Sequence, residues 1–176
     1  MKIVLTFLPH FKDQGTSMVK ETILILDTDK NVAWTLKTLL ENEEYPVIVA
    51  DTIERALKNL SEFQVAALIT EYRIENVFTL DAIRDLKERS SEPYVMMITN
   101  EEVEEEEYGK ILEARVDDFF VKPLSIRKIL LHLQKGLRHR RLVLEKNRLE
   151  KVVATFSHSN PSENFLCLNS ETKTIG

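Results

Sequence analysis

Cysteine is nearly absent. Cys167 is the only one in 176 residues, so neither an internal disulfide nor a cysteine-built zinc site can form within the chain, and Cys167 is expected to be inert. Long apolar runs are missing too. No stretch approaches the roughly 20 residues that span a bilayer, and the N-terminal run from Ile3 to Leu8 is shorter than a secretory h-region, with no small-residue cleavage site behind it. The chain is therefore read as cytoplasmic, with no membrane partner. Disorder throughout is excluded by a composition of 43% apolar and 30% charged residues, which suits one globular domain with length to spare.

What charge there is lies unevenly. Between Ser125 and Phe156 nine Lys/Arg stand against two Glu, which leaves −12 on the rest of a chain whose net charge is −5. An acidic body carries a basic arm. The densest negative charge is Glu101-Glu102-Val103-Glu104-Glu105-Glu106-Glu107, read as a solvated helix face whose acids gather near the positive N-terminal end of a helix dipole.

Two hydrophobic periods alternate along the chain. Short β-branched or aliphatic runs predict strands at Thr22–Leu26, Pro46–Ala50, Val65–Thr70, Tyr94–Thr99 and Phe119–Val121. Helical spacing lies between them, first from Asp29 to Asn42 with Val32, Leu36, Leu39 and Leu40 on one face. Further helices are predicted near Thr52–Leu60, Leu80–Glu88, Glu101–Ala114 and from Ser125 onward. Such alternation argues for an α/β fold, a doubly wound five-stranded parallel sheet with helices on both faces. Polar chemistry in such sheets collects outside the carboxyl ends of the strands.

The residues at those ends are Asp27-Thr28-Asp29 after the first strand, Thr70-Glu71-Tyr72-Arg73 after the third, Thr99-Asn100 after the fourth and Lys122-Pro123 after the fifth. In this order, and with Val116-Asp117-Asp118-Phe119-Phe120-Val121-Lys122-Pro123-Leu124 around the last strand, the chain resembles the response-regulator receiver family of two-component signalling. The resemblance covers Lys20 to Leu133. It implies a flavodoxin-like (βα)5 domain with an extended C-terminal helix and a signalling role that is not enzymatic.

Carried over residue by residue, the resemblance places Asp27 on the first of two metal-binding acids and Thr28 on the second, so one carboxylate is missing. Glu71 falls on the phosphoaccepting Asp. Thr99 and Lys122 fall on the hydroxyl and ammonium that contact a bound phosphoryl group, and Phe119 on the aromatic whose rotamer reports activation. The Pro and Gly usual after the phosphoacceptor are absent from the loop Ile74 to Thr79. Phosphotransfer to a carboxylate needs Mg²⁺ on hard oxygen ligands and a nucleophilic oxygen in line with the leaving group. Thr28 removes one anionic ligand, and Glu71 extends the carboxylate by one methylene, about 1.5 Å. Weak Mg²⁺ binding through Asp27 and Glu71, and an impaired phosphoacceptor, are expected. Each residue also has a plainer structural reading, with Asp27, Asp29 and Thr99 as helix caps and Phe119 as core.

Residues 1–19 are read as a detached tail in which Met18 is a candidate initiator, and 20–133 as the receiver-like domain. Residues 134–156 form a helical extension and candidate short coiled coil, with Leu142, Leu149 and Phe156 seven apart and Glu145 interrupting. Residues 157–176 are read as a disordered tail, too short for a further domain. Thr155-Phe156-Ser157-His158-Ser159 is similar to the start of a sensor-kinase dimerisation helix, but Asn160-Pro161 breaks that pattern and His158 is read as a surface histidine. The basic run Arg138-His139-Arg140-Arg141 lacks the aromatic interleaving of a nucleic-acid reader.

Three functions from different classes follow. The first is a degenerate receiver working by protein contact with a sensor kinase or other signalling protein, through Phe119 and the face of the fourth helix, fifth strand and fifth helix. The second is a phosphoacceptor using Glu71 and Mg²⁺. The third is a nucleic-acid-binding adaptor using the basic helix 125–156. A homodimer through the acidic fourth helix and basic arm is also expected, with the stripe Leu130, Leu133, Leu137 and Leu144 supplying its apolar contact.

Overall fold

The chain runs β1 (Thr22–Leu26), α1 (Lys30–Asn42), β2 (Val47–Ala50), α2 (Ile53–Glu62), β3 (Val65–Thr70), β4 (Arg73–Ile74), β5 (Val77–Phe78), α3 (Leu80–Arg89), β6 (Tyr94–Thr99), α4 (Glu105–Glu113), β7 (Asp118–Val121) and α5 (Ile126–Ser159). This computed structural model describes residues 21–89, 93–100, 103–123 and 125–159, with side chains for all of these except 88, 89 and 156–159. The N-terminal tail with Met18, Glu101 and Glu102, the His158 side chain, Cys167 and the tail beyond residue 159 lie outside what is described. Among the described residues no helix is long and apolar enough to cross a membrane.

Five strands pair in parallel in the order β2-β1-β3-β6-β7. Their side chains alternate between two faces, and both faces are covered. Leu24, Leu26, Leu68, Val95 and Met97 pack with Ala56 of α2, Ile83 and Leu86 of α3 and Ile111 of α4. Ile23, Ile25, Ile69 and Met96 pack on the other side with Ala33, Leu36 and Leu40 of α1 and Ile129, Leu133 and Leu137 of α5. Double coverage explains why the strands read as unbroken apolar runs.

Caps set where the helices begin. The Asp29 carboxylate accepts hydrogen bonds from Asn31 N at 2.8 Å and Val32 N at 3.3 Å and so starts α1, as expected for an acid just after a strand. Thr52 Oγ1 accepts from Arg55 N at 3.2 Å and starts α2. The fourth helix starts later than its acidic run predicts. Val103 is buried against the core and Glu104 is extended, so α4 begins at Glu105 with three glutamates in its first turn, where the helix dipole favours negative charge. On α1 the buried face takes Ala33 in place of the expected Leu39, which is only half-buried.

The segment read as a loop, Ile74 to Thr79, is instead part of a hairpin. Strands β4 and β5 pair antiparallel, Arg73 with Phe78 and Ile74 with Val77. Glu75 and Asn76 between them both have positive φ, 49° and 64°, the conformation of a type I′ turn, which matches the strand twist without needing proline. Ile74 is buried, and the Phe78 ring lies 5.0 Å from that of Tyr72 with the Arg73 guanidinium 4.5 Å above it.

Helix α5 corrects two expectations. It continues unbroken to Ser159, past the boundary expected at residue 156. Leu133 and Leu137, expected in an association stripe, are fully buried against the sheet. The helix lies closely on β6: the Tyr94 ring occupies the space a Cβ at Gly136 would need. The Tyr94 hydroxyl donates to Asp118, and His132 Nδ1 lies 3.1 Å from the same oxygen, Oδ2. With its hydroxyl tied to Asp118 and the residue buried, the Tyr94 ring has little room to yield. Gly136→Ala is expected to destabilise the domain by about 1–3 kcal/mol through overpacking, read as a lower urea midpoint with an unchanged m-value.

Candidate functional site

Parallel strands end at one edge, and the register brings their ends level in two pairs, with β6 and β7 running two residues beyond β1 and β3. Leu26 pairs with Thr70, Thr70 with Met97, and Thr99 with Val121. The residue after each strand is tied to its neighbour by the backbone: Asp27 N donates to Ala50 O at 3.2 Å, Glu71 N to Leu26 O at 3.2 Å and Lys122 N to Thr99 O at 2.7 Å. The order of strands reverses between β1 and β3, which opens the crevice where such sheets carry their ligands. Asp27, Glu71, Thr99 and Lys122 therefore meet there although they are far apart in sequence.

Lys122 is the centre of the cluster. Its Nζ lies 3.3 Å from Glu71 Oε1 and 3.8 Å from Asp27 Oδ2. Glu71 Oε1 also accepts from Asn100 Nδ2 at 3.4 Å, a contact that no sequence motif assigned. Asp27 does not cap α1; its Oδ1 accepts from Asp29 N at 2.8 Å. Thr28 is exposed beside them, and Thr99, whose carbonyl accepts from Lys122 N, is buried. Phe119, half-buried on β7, meets the exposed ring of Tyr108 edge-on at 6.0 Å, which links the strand leading to Lys122 with helix α4.

Burial raises the pKa of Asp27 above its ordinary 3.8, against the pull of the Asp29 amide and of Lys122. Burial, then the negative charge of Asp27, raises Glu71 above its ordinary 4.5. One ammonium thus serves two carboxylates that crowd one another.

The match to known proteins agrees with this geometry. The family model described as the response regulator receiver domain matches residues 23–134. The chain is 25% identical over 138 residues to the transcriptional regulatory protein ResD of Bacillus subtilis, covering 77% of this chain and 57% of that protein. It is 28% identical over 116 residues to the transcriptional regulatory protein CpxR of Escherichia coli, covering 66% and 49%. Among solved structures, a CheY-like receiver domain protein of Methanospirillum hungatei superposes with a TM-score of 0.65 at 21% identity, covering 69% of this chain and 96% of that one. The signal receiver domain of an HD domain-containing protein of Pseudomonas fluorescens gives 0.69 at 19%, covering 76% and 98%. The chain belongs to the response regulator receiver domain family of two-component signalling. It spans about half the length of the relatives it matches.

Receiver domains typically hold Mg²⁺ at this edge. The residues present here would hold it only weakly. Mg²⁺ keeps several waters and takes one or two carboxylates from the protein. Asp27 and Glu71 stand where they could supply them, but one already accepts a backbone amide and both face the Lys122 ammonium, which competes for the same charge. Among the described residues no group of three or more metal-ligating side chains forms a site.

Because both acids titrate higher in the folded chain than in the unfolded one, protonation favours folding. Their contribution is full below the ordinary values of 3.8 and 4.5 and is lost as pH rises through the higher folded values. Glu71→Gln is expected to flatten the stability–pH profile above about pH 4.5. Lys122→Met, leaving two carboxylates without their ammonium, is expected to steepen it and to cost about 2 kcal/mol near neutrality. Urea denaturation at about pH 5 and pH 7 reads both, and calorimetry should find no Mg²⁺ binding below millimolar concentration.

Proposed function

We propose that this receiver signals by protein contact from a pocket held in one electrostatic state, without a cycle of aspartyl phosphorylation. The observation that carries the reading is the Lys122 ammonium 3.3 Å from Glu71 Oε1. Lysine at this position pairs with the phosphoryl group in the family that the chain resembles, and here a glutamate one methylene longer than aspartate supplies negative charge to it permanently. The pair is charge-assisted, and with side chains only 19% and 15% exposed it is weakly screened. Thr28 in place of a second acid and the longer Glu71 side chain argue against in-line phosphotransfer, since misplacement near 1 Å already costs about a hundredfold in rate.

The contact face is α4, β7 and the start of α5. Tyr108 and Leu112 are exposed on α4 among glutamates, and Phe119 stands behind Tyr108. A sensor kinase or another signalling protein presenting basic residues around an apolar centre fits this face. The nucleic-acid reading loses support. Arg141 Nε lies 3.5 Å from Glu21 Oε1 and 3.4 Å from Leu137 O, and Arg140 is half-buried. Arg141 is thereby engaged in fastening α5 to the domain, which withdraws one charge of the basic run from phosphate contact.

Two measurements test the reading. Incubation with Mg²⁺ and a small acyl-phosphate donor, followed by intact-mass measurement at neutral pH, should add no phosphoryl mass; uptake abolished by Glu71→Gln would instead establish the phosphoacceptor. Amide hydrogen exchange along α4 and β7 should rise about tenfold, or about 1.4 kcal/mol, in both Glu71→Gln and Lys122→Met. Exchange equal to that of the wild type in both variants would mean that the pair does not set the conformation.

A further inference from the structure

The hairpin that follows Glu71 carries strain at its tip. Glu75 and Asn76 are consecutive residues with positive φ, 49° and 64°, and neither is glycine, so the surroundings must offset the cost of that backbone. Both are exposed, and the hold comes from the base of the hairpin. There Thr79 is buried, with its N–H donating to Tyr72 O at 3.1 Å and its hydroxyl to Glu71 O at 2.9 Å, close also to Tyr72 O at 3.2 Å. Its carbonyl accepts from Ile83 N at 3.0 Å and so opens α3. One residue ties the end of β3, the hairpin and the next helix together.

We propose that Thr79 is a positioning residue for the Glu71–Lys122 pair, fixing through the Glu71 carbonyl the point from which the glutamate side chain reaches the ammonium. The Glu71 N–H donates to Leu26 O on β1 at 3.2 Å, and its carbonyl accepts from Thr70 Oγ1 at 3.1 Å as well as from Thr79 Oγ1. The two hydroxyls are not equivalent. Thr70 is the preceding residue and moves with Glu71, whereas Thr79 stands eight residues on, at the start of α3, and holds Glu71 against a separate element. Without the Thr79 hydroxyl each carbonyl still keeps a donor, Thr70 Oγ1 for Glu71 and Thr79 N for Tyr72. Its contribution is therefore position and not the rescue of a buried carbonyl. A glutamate side chain has several rotatable bonds, and its contacts at the far end, 3.3 Å to Lys122 Nζ and 3.4 Å to Asn100 Nδ2, lie beyond the usual range of about 2.7–3.2 Å. A small shift of its backbone is enough to part them. The meaning of this for signalling rests on the reading above, in which the pair sets the state of the pocket.

A double-mutant cycle on the full chain measures the pair itself, with Glu71→Gln, Lys122→Met and the two together compared by urea denaturation. The cycle is repeated in Thr79→Val, which keeps the shape and loses the donor, and in Thr79→Ser, which keeps the donor and loses the methyl. The coupling between Glu71 and Lys122 should fall by at least about half in Thr79→Val and stay at the wild-type level in Thr79→Ser. A merely structural Thr79 would lower the stability of both variants without that split. Should the valine chain not fold, Thr79→Ala set against Thr79→Ser gives the same contrast, since both lose the methyl and only serine keeps the hydroxyl. No coupling in the wild type, coupling unchanged when the hydroxyl is removed, or coupling lost equally when serine retains it would each overturn the proposal. Amide exchange along α4 and β7 in Glu71→Gln and Lys122→Met tests the signalling reading separately, and it can fail while the dependence of the coupling on Thr79 stands.

Discussion

A parallel sheet covered on both faces can present polar groups only at its ends, and this constraint organises the whole domain. The core strands are apolar on both sides because α1 and α5 cover one face and α2, α3 and α4 the other. Ionisable side chains can then serve the site only from the residue after each strand, where the chain turns out of the sheet. Parallel pairing places all those turns on the same edge. Because the turns share one edge, the long Lys122 side chain can reach past β6 to Glu71 and Asp27, across separations set by the spacing of the strands.

Within that edge the decisive group is the ammonium of Lys122. Remove it in thought, and two partly buried carboxylates face each other with no compensation. Keep it, and one positive charge holds Glu71 and Asp27 in register across three strands. Thr28, exposed beside Asp27, adds no charge to this balance.

The far end of the sheet carries a separate polar cluster. Tyr94, Asp118 and His132 join β6, β7 and α5 where the helix crosses the sheet, and the Phe120 ring meets His132 edge-on at 4.7 Å. Glu21 and Arg141 fasten the same helix one turn beyond its last fully buried leucine. These contacts explain why the basic charge concentrated on α5 is not simply a solvated arm. Part of its proximal half is structural, through His132 and Arg141.

Strand positions, the alternation of elements and the meeting of Asp27, Glu71, Thr99 and Lys122 at one edge were all legible in the residues, because unbroken aliphatic runs and the polar residues that end them are local signals. Asp29 as a cap was legible for the same reason. The hairpin β4-β5 was not, since Glu75 and Asn76 adopt left-handed backbone without the glycine that normally announces it, and buried Ile74 holds them there. Helix α5 shows the difference most clearly. Its sequence has apolar residues on more than one side, so spacing by itself determined that it is a long helix. Only the packed structure decided that Leu133 and Leu137 face the sheet while Leu142, Leu149 and Val153 face away, because a helix chooses its buried face by what lies against it, here the Tyr94 ring seated at Gly136.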